Sequence, residues 1–406
     1  MEVVAFMKIL IVARSLPQLT WGAGIRNYHL LRAMASKHDV SLLALVDKNE
    51  RSQSAAAHLA LHTRAVRQVD APLSVSRRLD QIRALARGRS FYLESHTVPG
   101  AQAALDEELA HNAYDAVIFE GLFVAGYRVP SHIRIILDEH NIEHELLRRS
   151  YQRADGVARR GFNWLEYRRL RPLEIAWCRR ADLVLVTSER EQRLLRALLP
   201  EKNVQVVPNG VDIEAFTPDE SVTEAPGRVI FTASFDYHPN VQGALYFAEQ
   251  CWPLVRSAFP AATWHLVGRN PPPEIVRLGT LPGVTVTGSV PAVQPHLAAA
   301  QVAIVPLLTG AGTRLKILEA FSLRRAVVST SLGCEGINCV PGRDLMVADE
   351  PRAFAAAIVD LLSDSARREG LGAAGRALVE EQYSWAHCGQ QLLKALDDVE
   401  VKGWRQ

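Results

Sequence analysis

The segment Val302-Ala303-Ile304-Val305-Pro306-Leu307-Leu308-Thr309-Gly310-Ala311-Gly312-Thr313-Arg314-Leu315-Lys316-Ile317-Leu318-Glu319-Ala320 settles what kind of sheet this chain builds. It opens as a short, wholly apolar run, the pattern of a strand covered on both faces in a parallel sheet. Two glycines then turn the chain into a helix, so strand, Gly-rich turn and helix follow one another. The same alternation extends in both directions. Towards the N-terminus, strand-like runs lie at Lys8 to Ala13, Val40 to Val46, Ala116 to Phe119, Ile133 to Leu137, Leu183 to Thr187 and Val204 to Val207. A second set lies at Val229 to Thr232, Trp264 to Val267, Val284 to Val286, Val302 to Pro306 and Ala326 to Ser329. The pattern predicts an α/β protein: two doubly wound Rossmann-like domains facing each other across a cleft. The expected divisions are 1–205, 206–382, and 383–406 as a helix crossing back onto the N-terminal domain. The Pro- and Gly-rich segment 208–227 reads as the hinge.

Composition narrows the class. A chain of 406 residues is too long for one core, and 48% hydrophobic with 22% charged residues excludes disordered, collagen-like and disulfide-stapled chains. No apolar stretch is long enough to span a membrane. Five cysteines without a Cys-x-x-Cys pair read as reduced thiols of a cytoplasmic protein rather than a zinc or redox motif. The first residues, with Glu2 and Lys8 and no cleavage site, do not read as a signal peptide, and Met7 is a possible natural start. The net charge of +2 hides an asymmetry. Residues 1–205 hold 30 Lys+Arg against 23 Asp+Glu, whereas the remainder holds 16 against 21.

Ligands of doubly wound sheets bind beyond the carboxyl ends of the strands, which selects the segments that carry chemistry. After the first strand, Gly22-Ala23-Gly24 precede a helix beginning near Tyr28, and backbone N–H groups there suit an anion. A plain tight turn accounts for the same glycines. Asn27 stands where a dinucleotide fingerprint needs its third glycine, so a nicotinamide site is disfavoured. Asp138-Glu139-His140-Asn141-Ile142-Glu143 follow an apolar strand, and His140 is placed to exchange a proton or bind a substrate hydroxyl. The alternative is helix capping by Asp138 or Asn141, with His140 on the surface. In the opening segment, Lys316 and Glu319 share a helix face: a cation for phosphate and a carboxylate for a ribose diol, or simply an exposed ion pair. Residues 145–180 carry ten arginines interleaved with aromatics, reading as an anionic membrane contact or as a solvated helix face. Nucleic acid is disfavoured because no recognition motif accompanies them.

Taken together these pieces resemble a family-4 retaining glycosyltransferase of the GT-B architecture, over nearly the full chain. The resemblance rests on Gly22-Ala23-Gly24, Ala181 to Glu189, Val207-Pro208-Asn209-Gly210-Val211-Asp212, Trp264 to Gly268, Val286 to Val290, and Lys316 to Ala320. It implies transfer of a hexosyl or N-acetylhexosaminyl group from a nucleotide-sugar, UDP- or GDP-linked, with retention. It implies no cofactor and no obligatory metal, in keeping with the absence of an Asp-x-Asp triplet. The acceptor would be a sugar, a lipid-linked glycan or a small molecule, and the enzyme cytoplasmic or peripheral on the inner membrane face. By position, His140, Lys316 and Glu319 would be catalytic. The donor would meet Gly22, Ala23, Gly24, Gly268, Gly288, Ser289, Val290, Gly310, Ala311, Gly312, Thr313, Arg314, Lys316 and Glu319, and the acceptor Asn141 and Glu143.

The chain departs from that family pattern twice. Ala311 stands where the family usually has a first glutamate, eight positions before Glu319. The loop Ala233 to Asn240 lacks the usual Arg and Lys for the diphosphate, so Lys316, Arg314 or helix dipoles are expected to compensate. The Gly312-Thr313-Arg314 and Pro239-Asn240-Val241 pieces are similar to transferases of bacterial exopolysaccharide and cell-surface glycans. A GT-B nucleotide-sugar 2-epimerase and a binding protein without turnover remain as rival readings.

Overall fold

The structure, a computed structural model, describes residues 6–18, 22–47, 53–71, 77–152, 156–219, 221–310 and 312–403. The chain divides into two compact units, residues 1–208 with 388–406, and residues 209–387. The first holds β1 (Lys8–Ala13), β2 (Asp39–Val46), β3 (Ala65–Asp70), β4 (Ala116–Glu120), β5 (Arg134–Glu139), β6 (Leu183–Val186) and β7 (Val204–Val206). They form a parallel sheet in the order β3-β2-β1-β4-β5-β6-β7. The second holds β8 (Arg228–Thr232), β9 (Thr263–Val267), β10 (Val284–Gly288), β11 (Val302–Val305), β12 (Ala326–Ser329) and β13 (Met346–Val347). Its order is β10-β9-β8-β11-β12-β13, again parallel. Each sheet starts in its middle and reverses direction once, between β1 and β4 and between β8 and β11. Those are the places where a crevice opens at the carboxyl edge.

Burial explains which strands the sequence announces. β4, β11 and β12 are buried at every position, being covered by helices on both faces, and their apolar runs are continuous. β3 is an edge strand, half exposed along most of its length, and carries Arg67 and Gln68. No apolar run marks it, and the two-residue β13 is too short to show a pattern. In the second unit Trp264 is fully buried, with its ring centroid 4.7 Å from that of Phe247 in an edge-on contact.

Three helices position the chemistry of the first unit. The helix Gly22–Ala35 begins six residues earlier than the expected start near Tyr28. Gly22, Ala23 and Gly24 are therefore its first turn and not a loop. The segment 145–180 falls into two helices, Glu143–Gln152 and Val157–Arg180, the second continuing through Pro172. The final helix, Trp385–Gly403, lies against Gly22–Ala35. A Cβ on Gly389 would fall 2.7 Å from that of Ala33, so only glycine permits this approach.

Candidate active site

The carboxyl edge of the first sheet is organised around His140. Arg26, fully buried on the helix after β1, grips Asp138 with two hydrogen bonds, Nε to Oδ2 at 2.9 Å and Nη2 to Oδ1 at 2.7 Å. Its remaining Nη1 donates to the carbonyls of Val207 (2.8 Å) and Pro208 (3.2 Å). The side-chain amide of the next residue, Asn27, faces two acceptors, and with its nitrogen assigned to that side it donates to Ala23 O (2.9 Å) and Glu120 Oε2 (3.0 Å). Asp138 and Glu120 in turn hold His140, whose Nε2 lies 3.1 Å from Glu120 Oε2 and 3.4 Å from Asp138 Oδ2. Two consecutive helix residues thus fix two carboxylates, and these fix one imidazole.

The electrostatics follow from that geometry. Burial opposes charge on Asp138, but the Arg26 guanidinium and His140 outweigh it and hold the carboxyl well below its usual range. Burial alone would lower His140, yet its hydrogen bonds to Asp138 and Glu120 raise it to about 9. At neutral pH it is an imidazolium and cannot act as a base; it can donate to, or orient, a substrate oxygen. His140 is only partly buried, which leaves room for such an oxygen. Capping by Asp138 or Asn141 is not what is found. The buried Glu174 accepts from the backbone N–H groups of Glu143 and His144, both at 2.8 Å, and so caps the helix Glu143–Gln152.

That charge acts on its neighbours. Burial, reinforced by Glu174, raises Glu143 to about 8. Glu139 is raised well above the ordinary range by burial and then by Glu174 and Glu143, and Cys178 Sγ lies 3.8 Å from its Oε1. The expected acceptor residues Asn141 and Glu143 therefore lie together, with Glu143 neutral at pH 7. Glu120, Asp138 and His140 each place a metal-ligand type of atom within 4.8 Å of the others. Asp138 is held at the same time by the Arg26 guanidinium, so this carboxylate serves both the arginine and the imidazole.

The second sheet presents its edge at the reversal between β8 and β11. Lys316 Nζ donates to Asn240 Oδ1 at 2.9 Å and lies 4.2 Å from the centre of the Phe231 ring. Asn240 is buried and donates to Ser234 O at 2.7 Å, so the β8 loop and the helix after β11 share one network. Burial and the charge of Arg314 lower Lys316 to about 7, with Glu319 opposing. Burial raises Glu319 to about 7 against the pull of Lys316. The two residues sense each other's charge on the helix Leu315–Ser322.

Around this pair the turn residues have distinct reasons. Gly310 and Gly312 take φ of 109° and 79°, in the region that favours glycine. A side chain on Gly310 would also meet Tyr237 Oη at 2.7 Å. Ala311 lies outside the described residues. Thr313 leaves its hydroxyl without a protein partner, whereas Arg314 is buried. Gly268 admits no side chain, since a Cβ would fall 1.6 Å from Ala233 O. Gly288 has open space and φ of 70°, Ser289 is exposed, and Val290 packs against the core of its unit. The β9 loop supplies a cation that the sequence reading missed: Arg269 Nε donates to Ser234 Oγ at 3.0 Å and lies 3.4 Å from Asp236. Arg26, Asn27 and Asn240 are further members of these networks that the sequence does not single out. A signal for the first pair was their place directly after the glycines on a helix at the sheet reversal.

Two doubly wound parallel units, each with polar side chains gathered where its strand order reverses, define the GT-B class of fold. Residues 21–215 match the family described as Glycosyltransferase Family 4, and residues 226–364 match that described as Glycosyl transferases group 1. The chain belongs to glycosyltransferase family 4. It is similar to an uncharacterized 44.6 kDa protein in the cps region of Klebsiella pneumoniae, 24% identical over 164 residues. That match covers 38% of this chain and only 42% of the relative's length. Sucrose-phosphate synthase from Thermosynechococcus elongatus superposes with a TM-score of 0.73 at 19% identity, over 98% of this chain and 100% of that one. Anabaena HepE, solved in complex with UDP-glucose, gives 0.66 at 16% identity, over 97% and 100%.

Proposed function

We propose that this chain transfers a sugar from a nucleotide-sugar to an acceptor hydroxyl, with retention at the anomeric carbon and without a metal. The observation that carries the reading is the Lys316–Asn240–Glu319 arrangement at the reversal of the second sheet, in a chain of this family. The donor is assigned to that edge: Glu319 to the ribose, Lys316 and the turn Gly310 to Thr313 to the diphosphate. The acceptor is assigned to Asn141 and Glu143 on the first sheet, and His140 to the transferred sugar. UDP is the favoured base because HepE is solved with UDP-glucose. A hexose or N-acetylhexosamine destined for a surface glycan fits the likeness to a protein of a cps region.

In this mechanism the bond from the anomeric carbon to the diphosphate oxygen breaks, and its electron pair stays on the phosphate. The acceptor oxygen attacks from the same face, and its proton passes to the departing phosphate. The protein's contribution is electrostatic, through cations at the leaving group. Arg269 stands near the loop where the family's usual basic pair is missing, and shares that task with Lys316. His140, already protonated, orients the sugar. Donor binding is tested by thermal shift with UDP-, GDP-, ADP- and dTDP-sugars, because only a bound donor raises Tm. Lys316→Ala and Glu319→Ala are each expected to lower kcat/KM by about 100-fold or more; near-normal values in both would overturn the assignment.

One observation favours a second reading. Glu120, Glu139 and Glu143 are buried acids of raised pKa in the neighbourhood of His140, and such acids are the equipment of an epimerase. Incubation with donor alone separates the two: an epimer formed without acceptor favours the epimerase.

A further inference from the structure

The helix Arg77–Ala86 is turned inside out. It buries Asp80 and Ala84 and shows solvent its large apolar residues, Leu79 at 53% exposure, Ile82 at 62% and Leu85 at 42%. Spacings of three place these on one side of a helix, so they form a single apolar stripe. Soluble helices do the reverse, and an exposed stripe of this kind marks a contact.

The stripe does not stand alone. Just beyond the helix, Ser90 Oγ and Tyr92 N–H both donate to the buried Glu166 of the helix Val157–Arg180, at 3.0 and 3.2 Å. Arg169 also donates to Arg89 O at 2.9 Å. A buried carboxylate therefore ties the segment that follows the first helix to the second helix. The second helix adds Trp164, 48% exposed, with the Arg168 guanidinium 5.6 Å from its ring centre. Charge is concentrated in the same place. Residues 77–94 and 157–171 together hold ten arginines against Asp80, Glu94 and Glu166. That surplus equals the entire basic excess of residues 1–205, so the rest of this half is neutral overall.

We propose that this face docks on an anionic lipid bilayer, with Leu79, Ile82 and Trp164 entering the headgroup–acyl boundary and the arginines pairing with lipid phosphates. An apolar stripe rimmed by arginines and carrying an interfacial Trp is complementary to such a surface on both counts. A second protein chain would match the apolar stripe but leave the surplus positive charge uncompensated. The expected contact over 145–180 thus moves: Arg148 and Arg149 are held by Glu145, and the surface centres on 77–94 with 157–171. The inference does not depend on sugar transfer, because vesicle binding is read without turnover.

The test uses the full chain with vesicles of phosphatidylcholine containing 30% phosphatidylglycerol, against phosphatidylcholine alone, at roughly 50 and 500 mM salt. Binding to the anionic vesicles, weakened by salt, is expected. Arg160→Gln and Arg168→Gln should each lower partitioning about fivefold, and Leu79→Ser with Ile82→Ser at least about tenfold. A blue shift of fluorescence on vesicle addition should vanish in Trp164→Phe. Because Leu79 and Ile82 face solvent, their variants should keep the wild-type Tm; the arginine variants and the Trp164 signal decide the matter should they not. Absence of binding to anionic vesicles at low salt overturns the proposal. So does equal binding by the arginine variants, or a dimer in solution that dissociates in Leu79→Ser with Ile82→Ser.

Discussion

Donor binding should move protons, and the direction should reverse near neutral pH. Burial lowers Lys316 to about 7 and raises Glu319 to about 7. A diphosphate demands a charged ammonium, and a ribose diol is best held by an ionised carboxylate. At pH 8 about 90% of Lys316 is neutral, so binding takes up roughly 0.9 proton there while Glu319 releases about 0.1. At pH 6 the proportions exchange, and binding releases close to one proton. Charging Lys316 at pH 8 costs about 1.4 kcal/mol, so affinity should fall about tenfold per pH unit above 7. Isothermal titration with the best nucleotide-sugar, in two buffers of different ionisation enthalpy, measures the uptake directly. A nucleotide-sugar diphosphate does not itself titrate here, so the signal belongs to the protein. Lys316→Met should abolish uptake at pH 8, and Glu319→Gln should abolish release at pH 6. Buffer-independent heats at pH 8, or an uptake that survives Lys316→Met, would refute the reasoning.

Other outcomes follow from the first unit. Loss of activity as pH rises through about 9 should report deprotonation of His140, and Glu120→Gln should move that limb to lower pH in a kcat profile. Arg26→Met removes the two-bond partner of the buried Asp138 and leaves it only His140, 3.4 Å away, a change of the kind that costs about 3–5 kcal/mol; a calorimetric Tm equal to wild type would contradict the network. Glu143 is protonated in the folded chain up to about pH 8, against an ordinary value of 4.5. The folded state therefore binds more protons than the unfolded state in that window, and stability should fall as pH rises from 4.5 to 8. Glu143→Gln should flatten that fall in urea titrations.

What the sequence disclosed, and what it did not, has a physical pattern. Strands covered on both faces, such as β4 and β11, must be continuous runs of apolar residues, and such runs are visible without a structure. The edge strand β3 needs only one covered side and mixes Arg67 and Gln68 into its run, so no pattern marks it. Lys316, Glu319 and His140 are legible because they follow such strands. Their partners are not: Asn240 lies 76 positions from Lys316, and Arg26 lies 112 from Asp138. Only the parallel order of the sheets brings them together. Gly22 and Gly24 read in sequence as a loop leading into a helix N-terminus, whereas the helix already starts at Gly22. Apolar residues three apart suit a core-facing helix as well as a surface contact, so the exposure of Leu79, Ile82 and Leu85 is visible only in the structure.

The central claim is transfer with retention, and the anomeric configuration of the product tests it most directly. The chain is incubated with an α-linked nucleotide-sugar that raises its Tm, together with an acceptor panel, and the new linkage is read by proton NMR. The account predicts an α-linked product that appears only with acceptor and is lost in Lys316→Ala and Glu319→Ala. A β-linked product, or an epimerised donor in the absence of acceptor, would contradict it.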